Sequence, residues 1–186
     1  NLHIMESQRS ASSDTVGRDS SKPEWLMLVD LDQQQIERIM QAVPGGSENV
    51  QDIYPLSPLQ EGILFHHMLY ERSDTYILAT LFELQNREAS SELRDALQVV
   101  IDRHDALRTA VVWEGLPQPV QVVCRSAPLP VEELILDGDR DVMVQITEWM
   151  TPGHQRMNLG AAPLVRFHVA TDVHGNCRYG VLLVHH

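Results

Sequence analysis

Cysteine is scarce: this chain of 186 residues has two, Cys124 and Cys177, which form neither a CxxC pair nor a zinc-ligand spacing. A disulfide framework and a structural zinc site are therefore excluded, and a reducing, cytoplasmic setting is expected. Long apolar runs are also missing. Nothing approaches the roughly 20 residues of a membrane span, and residues 2–5 are too few for a signal-peptide core. Basic clusters interleaved with aromatics are absent: 14 Lys and Arg stand against 26 Asp and Glu, the net charge is −12, and aromatics make up 5%. That balance argues against nucleic acid or an anionic membrane as a partner. No GxSxG, GxxxxGK[ST] or GxGxxG occurs, which removes the serine-hydrolase elbow, the P-loop and the dinucleotide fold.

What is present is ordinary globular material, 43% hydrophobic, in a chain long enough to bury about 70% of its unfolded surface. Residues 1–23 are serine-rich with almost nothing to bury, so they read as a disordered leader or an expression remnant. Residues 24–49 read as a linker helix: Asp32 and Gln35 have capping-box spacing, Ile36, Ile39, Met40 and Val43 repeat at helical spacing, and Pro44-Gly45-Gly46 stops the run. A second helix opens at Ser57, with Pro58 first and Gln60 three residues after the cap. Residues 76–84 follow as a strand with Tyr76, Leu78, Thr80, Phe82 and Leu84 on one face. A third helix spans about 91–104, with Leu93, Leu97, Val100 and Ile101 as its buried stripe. Strands at about 108–113 and 118–123 flank an EGLP turn, and 131–136 suits a further strand. A fourth helix at about 139–150, facing inward with Val142, Ile146, Trp149 and Met150, ends at Pro152-Gly153. Strands at 164–171 and 178–185 close the chain, so the expected class is α+β, helices packed on a mixed sheet.

Nine histidines invite a metal reading, but none are spaced i, i+4, and His66 and His67 are neighbours on a helix, about 100° apart. No metal site is expected. The acidic run Asp137-Gly138-Asp139-Arg140-Asp141 has Val142 where a calcium loop needs its turn glycine, and acidic residues opening a helix explain it better. The chain's end is more informative. Tyr179 to Val184 is an apolar strand suited to burial on both faces, and it leads straight into His185-His186. Successive strand side chains point to opposite faces, so one histidine faces inward and the other elsewhere. A histidine at the mouth of a buried strand can be held neutral near pH 7 and can accept or relay a proton.

Four segments in order carry a family resemblance: Ile53-Tyr54-Pro55-Leu56-Ser57-Pro58-Leu59-Gln60-Glu61-Gly62-Ile63-Leu64-Phe65-His66; Arg103-His104-Asp105-Ala106-Leu107-Arg108-Thr109; Met157-Asn158-Leu159 with Ala162-Pro163-Leu164-Val165-Arg166; and Val181-Leu182-Leu183-Val184-His185-His186. Together, residues 50–186 resemble the N-terminal lobe of a condensation domain of nonribosomal peptide synthetases. The second segment is similar to RHExLRT with Asp105 for Glu. The third is similar to FDLxxxPLLR with Met157 and Asn158 in place of the aromatic and the acid. The fourth is similar to the strand entering HHxxxDG.

The resemblance implies a chloramphenicol-acetyltransferase-like fold of two lobes with the site between them. It implies an acyltransferase reaction in which the amine of a carrier-bound aminoacyl thioester attacks a donor acyl or peptidyl thioester. Both substrates would ride on the phosphopantetheine of donor and acceptor carrier proteins, with no cofactor bound directly. It places His186 at the reaction centre, as base or as stabiliser of the tetrahedral intermediate, with His185 its structural neighbour. Arg103, Asp105 and Arg108 would brace the site as a buried ion-pair cluster, and Gln60 and His66 are candidate channel residues. The motif's remaining xxxDG and the C-terminal lobe lie beyond His186, so the fragment alone is expected to be inert and to expose apolar surface. Two other readings stay open: an epimerisation or heterocyclisation relative, the latter carrying aspartates in place of the histidines, and a non-catalytic carrier-docking lobe.

Overall fold

The computed structural model describes residues 29–70, 73–151, 155–171 and 178–185. The leader over 1–23, the helix stop at Pro152-Gly153, Cys177 and His186 lie outside the described residues. The elements run α1 (Gln33–Ala42), β1 (Val50–Pro55), α2 (Pro58–Leu69), β2 (Ile77–Leu84), α3 (Arg87–Arg103), β3 (Thr109–Val112), β4 (Val120–Cys124), β5 (Val131–Leu134), α4 (Val142–Trp149), β6 (Val165–Thr171) and β7 (Arg178–His185). Short 3₁₀ turns at Gly46–Asn49 and Asp105–Arg108 lead into β1 and β3. None of the described helices is long and apolar enough to cross a membrane.

Local chemistry sets the helix starts. In α1, Asp32 accepts from the Gln35 N–H at 2.8 Å, while the Gln35 side chain accepts from the Asp32 N–H at 2.9 Å. Ser57 and Gln60 close the same box at α2, at 3.3 and 2.8 Å. α3 begins four residues before Ser91, because the Asn86 side chain accepts from the Ala89 N–H at 2.8 Å. The intervening residues are polar or small, so no hydrophobic period marks that first turn. α4 begins later than expected, capped by Asp141. Residues 137–140 instead form a loop stapled by buried Gln145, which accepts from the Asp137 N–H at 2.7 Å and donates to the Asp137 and Arg140 carbonyls at 2.9 and 3.1 Å.

The strands divide between two sheets. β1, β4 and β3 form a three-stranded antiparallel sheet in that order, and β2, β7, β6 and β5 form a four-stranded one whose only parallel pair is β5 with β6. β1 was not expected as a strand, since Gln51 and Asp52 interrupt its apolar alternation. Its Ile53 is nonetheless fully buried opposite Val122. α1 packs on this sheet, placing Ile39 and Val43 in one cluster with Val50, Ile53, Val120 and Val122. The helix expected as a linker is therefore part of the core.

The larger sheet is covered on both faces. Leu93, Leu97 and Ile101 of α3 pack with Leu84, Val165 and Phe167, and Ile146 and Trp149 of α4 pack with Ile77, Ala170, Val181 and Leu183. β7 therefore meets apolar side chains on both sides, as its run of aliphatics suggests. One expected core position is corrected, and one residue on the apolar face of β2 stays outside the core. Val100 is 45% exposed, because the stripe facing the sheet follows Leu93, Leu97 and Ile101 at steps of four. Leu78 is 53% exposed, because α3 covers only the Phe82–Leu84 end of β2, an edge strand.

His168, on the α4 face of β6, is buried against Trp149 at 4.6 Å between ring centroids. Burial lowers its pKa below the ordinary 6.5; the Glu132 carboxylate opposes this, and the Arg166 charge adds to it. A histidine whose folded pKa is depressed contributes stability that is complete above the unfolded value and is lost as pH falls through the folded one. Urea unfolding midpoints are therefore expected to decline as pH drops below about 6.5. His168→Phe should flatten that decline, and an unchanged slope in the variant would exclude His168 as its source.

Candidate active site

β7 ends at the seam between the two sheets, where residues of α2 also lie. The Val111 N–H donates to the Leu159 carbonyl at 2.8 Å, and the His185 N–H to the Leu164 carbonyl at 3.0 Å, so the 157–164 segment joins both sheets. A cavity of about 350 Å³ lies there, walled by Thr109, Val111 and Gln121 of the smaller sheet, Val165, Val184 and His185 of the larger, and Gln60 and Ile63 of α2. Its lining is mainly aliphatic, with Gln60, Thr109, Gln121 and His185 as polar members.

His185 is the inward-facing residue at the strand end, with its side chain 2% exposed. Its Nε2 lies 3.1 Å from Oδ2 of Asp74, and the same oxygen lies 2.8 Å from Nδ1 of His67. Oδ1 of Asp74 accepts from the Tyr76 N–H at 3.1 Å, and the Asp74 N–H donates to the Gln155 carbonyl. Arg156 reaches in from the next segment: its Nη2 is 3.3 Å from Nε2 of His67, and its Nη1 donates to the Tyr70 carbonyl. The Asp74 carboxyl is 1% exposed. Burial alone would raise its pKa; the hydrogen bonds from His67 and the Tyr76 N–H, with the charges of His185 and His67, outweigh this and hold it below the ordinary 3.8. The stability that carboxylate contributes is present above the ordinary value and lost as pH falls through the folded one.

Sequence reasoning missed Asp74 and the role of His67. Asp74 sits between α2 and β2 in a stretch with no periodicity, and it meets His185 only through the pairing of β2 with β7. The available signal was the divergence of His66 and His67 on α2. His67 is buried, while His66 is exposed, stacked on Tyr76 at 5.9 Å and bonded to its hydroxyl at 2.7 Å.

The other candidates fall in separate places. Gln60 lines the cavity and donates to the Gln121 side chain at 3.3 Å; His66 is outside the lining. Arg108 is buried and braces the smaller sheet: it donates to the Cys124 carbonyl, to Gln51 at 3.1 Å and to Arg125 O at 3.3 Å, and pairs with Asp105 at 2.5 Å. Asp105 is largely exposed, and Arg103 is exposed with no ion pair to a described residue, so the expected cluster reduces to one buried guanidinium. The reason is rotation. Arg103 is on the last turn of α3 and faces solvent, whereas Arg108 enters under β4 from the 3₁₀ turn. The Cys124 thiol is buried, which raises its pKa, with Arg108 opposing.

Residues 50–186 match the family model described as Condensation domain. Malpinin synthetase of Mortierella alpina is 48% identical over 164 residues, which cover 88% of this chain and 2% of that protein. Tyrocidine synthase 2 of Brevibacillus parabrevis is 33% identical over 122 residues, covering 64% of this chain and 3% of that protein. Among solved structures, a four-domain nonribosomal peptide synthetase bound to AMP and glycine has a TM-score of 0.59 at 19% identity, over 73% of this chain and 10% of that one. The starter condensation domain of rhizomide synthetase has a TM-score of 0.55 at 23% identity, over 73% of this chain and 34% of that one. The structural likeness carries the fold. The chain spans only a few per cent of the length of these curated relatives, 2% and 3%.

Proposed function

Because the chain belongs to the condensation-domain family, which it matches over residues 50–186, we propose that it is the N-terminal lobe of an acyltransferase domain that forms amide bonds between carrier-bound substrates. The observation that carries the reading is His185, the last residue of β7 and the one before His186 in the sequence, which walls an aliphatic cavity at the seam of the two sheets. The amine of a carrier-bound aminoacyl thioester attacks the donor acyl or peptidyl thioester. A tetrahedral intermediate forms, the thiolate of the donor's phosphopantetheine leaves, and the amine loses its proton. A thioester is already activated, and an amine near pKa 8 is partly free at neutral pH. The site therefore has to supply modest proton acceptance, stabilisation of the oxyanion and, above all, alignment of two tethered ends. His186 is the residue proposed for the proton or the oxyanion. Donor and acceptor carrier proteins are the proposed partners, and a C-terminal lobe supplies the facing wall. Residues 1–186 by themselves are accordingly proposed to bind without turnover.

The test is amide formation by a domain containing this chain and its C-terminal lobe, with both carriers loaded. His186→Ala is expected to lower the single-turnover rate by about 100- to 10,000-fold while carrier binding is retained. An unchanged rate would remove His186 from the chemistry. Carrier binding with no amide from the wild-type domain would favour the docking-lobe reading.

A further inference from the structure

The cluster beneath β7 has a direction that no family motif specifies. A guanidinium can only donate, so Arg156 at 3.3 Å requires Nε2 of His67 to be an acceptor. The proton of a neutral His67 is then on Nδ1, aimed at Asp74 Oδ2 at 2.8 Å. That oxygen lies 3.1 Å from Nε2 of His185. A carboxylate can only accept, so Nε2 of His185 carries a proton and Nδ1 is left as the ring's acceptor in its neutral form. All three N–H groups that reach Asp74, from His67, His185 and the Tyr76 backbone, donate to it.

The same three side chains have the composition of a metal site, with His67, Asp74 and His185 offering ligand atoms within 4.8 Å of one another. The polarity speaks against that use. A metal on Nδ1 of His67 would leave its proton on Nε2, donor against donor with Arg156.

We propose that Asp74, His67 and Arg156 are positioning residues that fix His185 as its Nε2–H tautomer and anchor the end of β7 from which His186 follows. His185 is held twice, by its side chain on Asp74 and by its backbone N–H on Leu164 O at 3.0 Å. The residue before the proposed reaction centre is thus clamped in place and in proton assignment. Arg156 sets the assignment from outside the cluster, being itself exposed. The assignment to catalysis rests on the condensation reading; the tautomers do not.

The decisive measurement is long-range proton–nitrogen correlation on the chain with ring-labelled histidines. The wild type should show His67 protonated at Nδ1 only and His185 protonated at Nε2. Asp74→Asn keeps the shape but turns an acceptor into a donor, and is expected to move the His185 proton to Nδ1. Arg156→Met removes an exposed side chain and spares the fold. With the opposing guanidinium gone and Asp74 remaining, His67 is expected to gain a proton on Nε2. His67 protonated at Nε2 in the wild type, proton assignments indifferent to both variants, or perturbation of these two rings by added zinc ion alone would each overturn the proposal. In the complete domain, Asp74→Asn should lower kcat by about 10- to 100-fold while KM for either loaded carrier changes by less than about twofold. An inactive wild-type domain would instead defeat the functional reading and leave the tautomer result standing.

Discussion

Arg108→Ala is expected to lower the unfolding free energy by about 2–4 kcal/mol, whereas Asp105→Ala should cost less than about 1 kcal/mol. The pair looks symmetrical in sequence, one basic and one acidic residue three apart, but its members live in different surroundings. The Arg108 side chain is 7% exposed and that of Asp105 59%. Removing the carboxylate leaves the guanidinium its bonds to the Cys124 and Arg125 carbonyls and to Gln51. Removing the guanidinium leaves the Cys124 carbonyl without that donor, at the end of the central strand of the smaller sheet, and opens a void beneath it. Arg108→Lys should recover less than half of the loss, since the guanidinium reaches four acceptors from two nitrogens, Gln51 and the Cys124 and Arg125 carbonyls from Nη1 and Asp105 from Nη2, and one ammonium cannot occupy both places. Urea denaturation of the three variants checks the ordering; equal losses for Arg108→Ala and Asp105→Ala would show that the ion pair itself, and not the backbone brace, is what stabilises.

The second large effect lies on the opposite sheet, at Phe167 and Gly180. Phe167 is fully buried, and a Cβ built on Gly180 of the neighbouring strand would come within 2.8 Å of two of its ring carbons. The ring therefore occupies the space that any larger residue at 180 would need. Phe167→Ala is expected to cost about 3–5 kcal/mol through the cavity it leaves. Gly180→Ala should cost about 1–3 kcal/mol through overpacking, since backbone and ring cannot both yield in a sheet covered on two faces. The double variant is the sharper test. With the ring gone, the new methyl group loses both of its closest clashes and keeps the Leu84 Cδ1 contact at 3.2 Å, so the combined loss should fall short of the sum by at least about 0.5 kcal/mol. Strict additivity, read from denaturant midpoints, would mean that ring and glycine do not share that space.

Much of this architecture could be read locally, and what escaped was non-local. Capping boxes at Asp32 and Ser57 mark helix starts within one turn, because the groups that satisfy each other are three residues apart. The α3 start escaped because its cap is followed by six residues without an apolar period. β1 escaped because a strand with Gln51 and Asp52 becomes recognisable only when β4 pairs with it, across some seventy residues of chain. For the site, the end of β7 was legible from its aliphatic run and terminal histidines. Asp74 was not: an aspartate in a turn has a local explanation in every sequence, and only the register of β2 against β7 brings it to His185. The family model begins at residue 50, yet the packing includes earlier residues, Val29 and Leu31 among them.

That last mismatch bears on how such units can be exchanged. Ile39 and Val43 of α1 are buried on the same strands as Ile53, Val120 and Val122, so a graft starting at residue 50 would carry the sheet and leave its cover behind. The recipient's own preceding helix would then have to fit an aliphatic surface it had not evolved with. A graft that keeps the sheet with its cover therefore has to include α1 together with Val29 and Leu31, which belong to the same cluster.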